Sequence, residues 1–151
     1  MTQTMDGQSG AAARTEAIEQ RWTKPLADAG WTALPNIILE CQRDLGLEPI
    51  DVNVLLQIAQ YWWKPGTPAH PSIARVADAI GLDRRTVQRR LRRMEGLGLV
   101  ESHARRYARG SRRTNAYTFD GLIEKARPFA EEALQVREEK RSKDQARLRR
   151  K

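Results

Sequence analysis

Apolar residues recur three or four positions apart along much of the chain, which predicts a succession of helices. The first is predicted over residues 15–29, limited or kinked at Pro25, and a short one follows Pro35 and stops at Gly46. Asp51 is predicted to cap the next helix. Its apolar stripe consists of Val54, Leu55, Ile58, Ala59 and Trp62. Residues 1–13 have no such period and are predicted to be disordered.

Two further helices are predicted directly after the proline-rich stretch 64–71. Ser72 can cap the first, and Gly81 ends it. The apolar positions of this helix are Ile73, Val76, Ala77 and Ile80. Asp83 can cap the second helix, residues 84–96, whose apolar positions are Val87, Leu91 and Met94.

After residue 96 the apolar period changes from about 3.6 to about 2, which predicts strands. Residues 100–106 and 114–119 are predicted to form a hairpin around a basic turn at 109–111. Asp120 then opens a final helix, in which Pro128 argues against a smooth coiled coil. The apolar seam of that helix consists of Leu122, Ala126, Phe129, Ala133 and Val136. The seam fits either a dimer contact or a cover for the preceding domain.

The spacing of Ala77, Gly81 and Val87 is typical of a helix-turn-helix. A small residue lies where the helices cross, a glycine takes the left-handed turn, and an apolar residue anchors the second helix. Arg90 occupies a position where the simplest pattern has an apolar residue, and Leu91 takes over that role. The predicted fold is mainly α with a small β-hairpin wing, a winged helix-turn-helix. It comprises a disordered N-terminus (1–13), a helical extension (14–50), the winged domain (51–120) and a C-terminal helix with a basic tail (121–151).

Positive charge is concentrated in two segments of a chain with a net charge of +8. Residues 84–113 contain eleven arginines, no lysine and only two acidic residues, and residues 137–151 contain eight basic and three acidic residues. Such a concentrated field indicates contact with a polyanion. The guanidinium group can bind a phosphate or the O6/N7 edge of guanine through two parallel hydrogen bonds.

Rotation by 100° per residue separates an arginine-rich face of helix 84–96 from its apolar face. We expect Arg85, Gln88 and Arg89 to read base edges in the major groove. The predicted phosphate contacts are Ser72, Arg84, Thr86, Arg92 and Arg93; for Thr86 the reason is a free backbone N–H near the start of the helix. The predicted wing contacts, on the minor groove or backbone, are Arg105, Arg106, Arg109, Arg112 and Arg113. The alternative for the arginines of helix 84–96, Arg85 and Arg89 above all, is that they contact the backbone only and give affinity without sequence choice.

Four runs of residues resemble the winged helix-turn-helix domains of bacterial, phage and plasmid proteins. They are Pro-Ser-Ile-Ala at 71–74, Arg-Thr-Val-Gln-Arg at 85–89 with Gly-Leu-Val at 98–100, and Thr-Asn-Ala-Tyr at 114–117. The likeness extends over about residues 35–123. It implies major-groove binding through the helix that starts at Arg84, usually by a dimer. The family includes regulators similar in fold to the MarR group and also replication initiators.

Other kinds of chemistry find little support in the sequence. The chain has two histidines, His70 and His103, and one cysteine, Cys41, without metal-ligand spacing. No phosphate-binding or dinucleotide-binding glycine motif is present. We therefore expect no catalytic residue, cofactor, metal or small-molecule ligand, no membrane association, and a cytoplasmic location. The pair Trp62–Trp63 fits core packing better than base stacking.

Three functions are compatible with these observations. The first is a dimeric transcriptional regulator that binds a short inverted repeat and represses by occupying a promoter. The second is a replication initiator or accessory factor of a mobile element that binds tandem origin repeats. The third is a protein-interaction adaptor on a winged-helix scaffold, which would not bind DNA at physiological salt.

Overall fold

The computed structural model describes residues 6–64 and 66–150, which form two compact units divided between Ala33 and Leu34. The first unit contains helix α1 (Asp6–Trp22) and helix α2 (Lys24–Asp28), with Pro25 in the first turn of α2. Proline is accepted there because a first-turn N–H has no partner within the helix. The predicted disorder over 1–13 is wrong for residues 6–13, which are helical. The run of alanines at 11–13 favours this helix, because alanine has the highest helix propensity. Residues 1–5 lie outside the described range.

The second unit begins with helix α3 (Asn36–Glu40), followed by turns as far as Gly46, whose φ is 79°. Helices α4 (Pro49–Ala59), α5 (Ile73–Ile80) and α6 (Arg84–Gly96) follow. Strands β1 (Glu101–Arg106) and β2 (Arg112–Thr118) form the hairpin, and helix α7 (Asp120–Arg149) ends the unit. This order confirms the predicted winged helix-turn-helix with its long C-terminal helix.

The core lies where α4, α5 and α6 pack on one another and on the base of the hairpin. The predicted apolar stripes of these helices supply its centre, because burial removes their apolar surface from water. The side chains that are nearly inaccessible to solvent include Val54, Leu55, Ile58, Val76, Val87, Met94 and Leu99. Burial of one such side chain contributes about 1.5–3 kcal/mol.

The N-terminus of α4 differs from the prediction in its cap. Glu48 is the N-cap residue, and Asp51, predicted in that place, is the third residue of the helix. The Glu48 side chain accepts from the backbone of Asp51, and the Asp51 side chain accepts from the Glu48 N–H at 2.8 Å. Pro49 sets this register, because proline favours the first helical position. The result is a reciprocal capping box in which Asp51 is fully buried.

The tryptophan pair after α4 is not core. The rings of Trp62 and Phe119 lie 5.4 Å apart, which anchors Trp62 at the edge of the core, whereas Trp63 is 82% exposed. The expectation of core packing is therefore wrong for Trp63 and also for Trp62, which is 39% exposed. The helical period on which it depended ends at Ala59, so Trp63 does not continue the helical stripe.

The wing is an antiparallel hairpin with one irregularity. Between the pairs His103–Ala116 and Arg105–Arg113, the single residue Ala104 faces two residues of β2, a β-bulge. The Ala69 N–H donates to the Tyr117 carbonyl at 3.1 Å, and the Tyr117 N–H donates to the Ala69 carbonyl. Ala69 therefore forms a single-residue β-bridge to β2, which the sequence does not predict.

Helix α7 is about 45 Å long, at 1.5 Å per residue. Leu122 and Ala126 are buried in the core and Phe129 is half-buried, whereas Leu134 and Val136 are 61% and 58% exposed. The first half of the apolar seam therefore covers the winged domain, which is one of its two predicted roles. Pro128 lies within the helix without ending it. In the described part of the chain, no helix is long and apolar enough to cross a membrane.

Candidate nucleic-acid interface

Local hydrogen bonds build the helix-turn-helix from α5 and α6. The Ser72 hydroxyl accepts from the Arg75 N–H at 3.1 Å, which starts α5. Gly81, at φ 70° and ψ 30°, makes the left-handed turn, and the Leu82 N–H closes it on the Ala77 carbonyl at 3.0 Å. A residue with a Cβ is strained in this conformation, which explains the glycine at this point of the motif.

One face of α6 is covered with exposed polar side chains. Arg85, Gln88, Arg89 and Arg92 are all exposed and are spaced i, i+3, i+4 and i+7. They span about 10 Å of helix. Within residues 6–64 and 66–150, none of the three arginines forms an ion pair. We call this set the polar face of α6; the opposite face, with Val87, Leu91 and Met94, is buried.

Two other arginines of α6 are held by the capping box of α4. Arg93 pairs with the buried Asp51 carboxylate and donates to the Gly46 carbonyl at 2.8 Å. Arg90 pairs with Glu48 and lies 3.7 Å from Asp51. The hydrogen bond from Arg90, followed by the charges of Arg93 and Arg90, lowers the pKa of Glu48 below its ordinary value.

This arrangement corrects the placement of Arg93. A guanidinium group engaged by Asp51, Glu48 and a carbonyl oxygen is not available as a phosphate contact without loss of a buried ion pair. Arg93 lies at the margin of the polar face. Its partner Asp51 precedes it by 42 residues, so the spacing of residues within α6 does not reveal the pairing.

Thr86 is likewise engaged within the protein. Its N–H donates to one Asp83 carboxylate oxygen at 2.8 Å and its hydroxyl donates to the other at 2.7 Å. The predicted free N–H is therefore occupied by the helix cap. The hydrogen bonds from Thr86 lower the pKa of Asp83 and hold a negative charge at the start of α6. The other predicted phosphate residues remain accessible: Arg84 and Arg92 are exposed, and Ser72 is half-buried.

The tip of the wing is ordered by bonds across its turn. The Tyr107 N–H donates to the Ser111 carbonyl at 2.8 Å, and Gly110 has a φ of 84°. The Arg113 guanidinium lies 4.7 Å from the centre of the Tyr107 ring, a cation–π contact that leaves both side chains exposed.

The predicted wing arginines differ in exposure. Arg106 and Arg109 are exposed, and Arg106 donates to the Gly110 carbonyl at 3.3 Å. Arg105 is half-buried. The side chain of Arg112 lies outside the described residues.

A groove of about 270 Å³ separates α6 from the wing. The side chains of Gln88 and Arg92 line one wall, and Asn115, at the bulge of β2, lines the other. The structure thus brings helix and wing residues to one surface and adds Asn115, which is not among the residues predicted from the sequence. The position of Asn115 at the bulge depends on the register of the two strands, which the alternation of apolar and polar residues alone does not determine.

Comparisons with known proteins agree with this geometry. Residues 45–100 match a family model described as a helix-turn-helix domain. The crystal structure of the N-terminal domain of the DnaD protein from Geobacillus kaustophilus HTA426 is similar in fold. Its TM-score is 0.51 and its identity 20%, over 72% of this chain and 88% of that chain. No curated protein gives a significant match to the sequence. Residues 45–100 therefore form a helix-turn-helix domain, to which the hairpin of β1 and β2 adds the wing.

Proposed function

We propose that this chain is a sequence-specific, double-stranded DNA-binding protein that inserts α6 into the major groove. The polar face of α6 carries the proposal, because its arginines are exposed while the apolar face anchors the helix in the core. A major groove about 12 Å wide accepts a helix of this kind. Arg85, Gln88 and Arg89 are the proposed base readers, and no residue is assigned a catalytic role.

The proposed backbone contacts follow from the accessible side chains. Arg84 and Arg92 flank the base readers, and Ser72 begins α5 with a hydroxyl proton still available to a phosphate. Arg106, Arg109 and Arg113 are exposed on the wing and reach the minor groove or the adjacent phosphates. Asn115 contributes from the groove beside α6. Arg93 and Thr86 are omitted because their polar groups have partners within the domain.

We propose a transcriptional regulator that represses by occupying a promoter, bound as a dimer to an inverted repeat. Occupancy needs only the DNA-binding domain, which makes it the simplest role for this architecture. The exposed Leu134 and Val136 on α7 offer apolar surface for a second copy. The first half of the predicted seam is committed to the core, so the contact between copies would be short.

Selection of bound fragments from random and genomic duplexes tests this proposal, together with light scattering of the free protein at tens of micromolar. An enriched inverted repeat and a dimer support the regulator. Enriched tandem direct repeats would instead favour the replication initiator. Absence of any binding at physiological salt would overturn the DNA-binding proposal and leave the adaptor.

A further inference from the structure

The distal part of α7 carries a second set of cations that the helix-turn-helix does not use. From Leu134 to Arg150 every side chain is exposed, and residues 137–150 contain seven basic and three acidic residues. Because this part of the helix is withdrawn from the core, its composition serves no packing role within its own unit. The positions of the charges around the helix therefore show which face is available to a partner.

Four of these cations form one stripe. Lys140, Lys143, Arg147 and Arg150 are spaced i, i+3, i+7 and i+10, which places them within an arc of about 80° at 100° per residue. We call them the α7 stripe. Three of them, Lys143, Arg147 and Arg150, surround one shallow hollow over Ala146, which confirms that their side chains share a face.

Of the acidic residues in the same segment, Glu138 lies on the far side of the helix, whereas Glu139 and Asp144 flank the stripe. On the helical projection Glu138 falls about 160° from its centre, and Glu139 and Asp144 fall about 60° and 80° away. Glu138 lies 3.9 Å from Arg141, a residue outside the stripe. Among residues 6–64 and 66–150, no ion pair involves a residue of the stripe, so its four charges face solvent.

We infer that the α7 stripe binds the phosphate backbone of the same duplex that α6 reads, so the inference rests on the proposed function. Ten residues of helix are about 15 Å long, and over that length of the duplex axis one strand carries about four phosphates, at about 3.4 Å of axial rise per phosphate. Lysine and arginine ends on flexible stems neutralise phosphates without reading bases. The stripe therefore adds affinity that is independent of sequence.

The composition of the segment favours this partner over a membrane surface. A helix that lies in a lipid interface needs a continuous apolar face beside its basic one. Between residues 137 and 150 the only apolar residues are Ala146 and Leu148. Two isolated side chains do not make such a face.

Salt dependence of DNA affinity tests the stripe directly. The test variant combines Lys143→Gln, Arg147→Gln and Arg150→Gln in the full chain. The control combines Arg137→Gln, Arg141→Gln and Arg149→Gln, which removes the same charge from positions about 100–140° from the centre of the stripe. Glutamine has nearly the helix propensity of lysine and arginine, and circular dichroism checks that both variants keep the helix. Affinity is measured from 50 to 200 mM salt for a selected duplex and for an unrelated duplex of equal length.

We expect the stripe variant to reduce the slope of log affinity against log salt by up to about 2.7, at about 0.9 per phosphate contact, equally for both duplexes. The control should change the slope by less than about half as much. Equal slope changes in the two variants, or none in the stripe variant, would overturn the inference while leaving the proposed function intact. If the stripe variant instead lost binding only to vesicles containing anionic lipid, the partner would be a membrane and the inference would be wrong. A wild-type chain that binds neither duplex would refute both proposals.

Discussion

Asp51 is a buried residue that joins α4 to α6. It is fully buried, closes the capping box of α4 and pairs with Arg93 across 42 residues of sequence. A buried ion pair is costly to break because the remaining charge is left in a medium of low polarity. Asp51 therefore links the start of α4 to the side of α6 next to the polar face.

Replacement of Asp51 by alanine should destabilise the fold by about 3 kcal/mol, the low end for a broken buried pair, since Arg93 retains partial contact with water. The measurement is urea unfolding followed by circular dichroism. The matched control is Glu124→Ala, which removes an exposed ion pair with Arg127 and should cost less than about 1 kcal/mol. Similar losses in the two variants would show that the Asp51 pair is no stronger than a surface pair.

Acid should weaken the ion pair between Glu48 and Arg90. The hydrogen bond from Arg90 lowers the pKa of Glu48 below its ordinary 4.5, so Glu48 stabilises the fold fully above pH 4.5. That stabilisation is lost as the pH falls through the lowered pKa. We expect the Tm of wild type to fall more steeply below pH 4.5 than that of Glu48→Gln, which has no charge to lose. Parallel pH profiles of Tm would contradict the assignment.

At the scale of the elements, the sequence predicts the helices from apolar residues that must share a buried face. Val87, Leu91 and Met94 are such a set, and all three are buried. Glycine marks the turn at residue 81, where φ is positive. These features are local, so the sequence determines them without knowledge of the fold.

Interactions between distant parts of the chain could not be predicted in this way. The strand contact of Ala69, a residue in a stretch with Pro68 and Pro71, exists only because Tyr117 supplies both of its backbone partners. The pairing of Arg93 also depends on the crossing of α4 and α6. The base-reading assignments, in contrast, require only an exposed helix face; they stay predictions until DNA contacts are measured.

The turn of the helix-turn-helix provides a stability prediction at this scale. Gly81→Ala should cost about 1 kcal/mol through its left-handed backbone alone, because no atom lies within 4 Å of the added Cβ. Gly96→Ala is the control, since Gly96 lies in α6 without a positive φ and also has free space. It should be neutral or stabilise by up to about 1 kcal/mol. Thermal unfolding compares the two, and equal effects would contradict the role of backbone strain.

At the scale of the whole molecule, the internal ion pairs determine where positive charge reaches the surface. Helix α6 contains six arginines, and Arg90 and Arg93 are matched by Glu48 and Asp51. Arg84, Arg85, Arg89 and Arg92 remain exposed. The positive field is thereby focused on the polar face of α6, as binding in a groove lined by phosphates requires.

The two basic regions then have different expected roles. The polar face of α6 chooses the site, whereas the α7 stripe adds affinity without choice, and these roles can be measured separately. A change in the ratio of affinities for selected and unrelated DNA reports sequence reading. A change in the salt slope common to both reports backbone contact.

The most direct test of sequence reading by α6 therefore uses the double variant Arg85→Ala, Arg89→Ala. The measurement is the ratio of its affinity for the selected duplex to its affinity for an unrelated duplex. Arg127→Ala, Arg141→Ala is the control, because it also removes two exposed arginine charges. At about 1–3 kcal/mol for each of two guanine contacts, the test variant should lower the ratio by at least about thirtyfold with unchanged Tm, and the control should preserve it. A test variant that weakens both duplexes equally, or neither, would contradict the account.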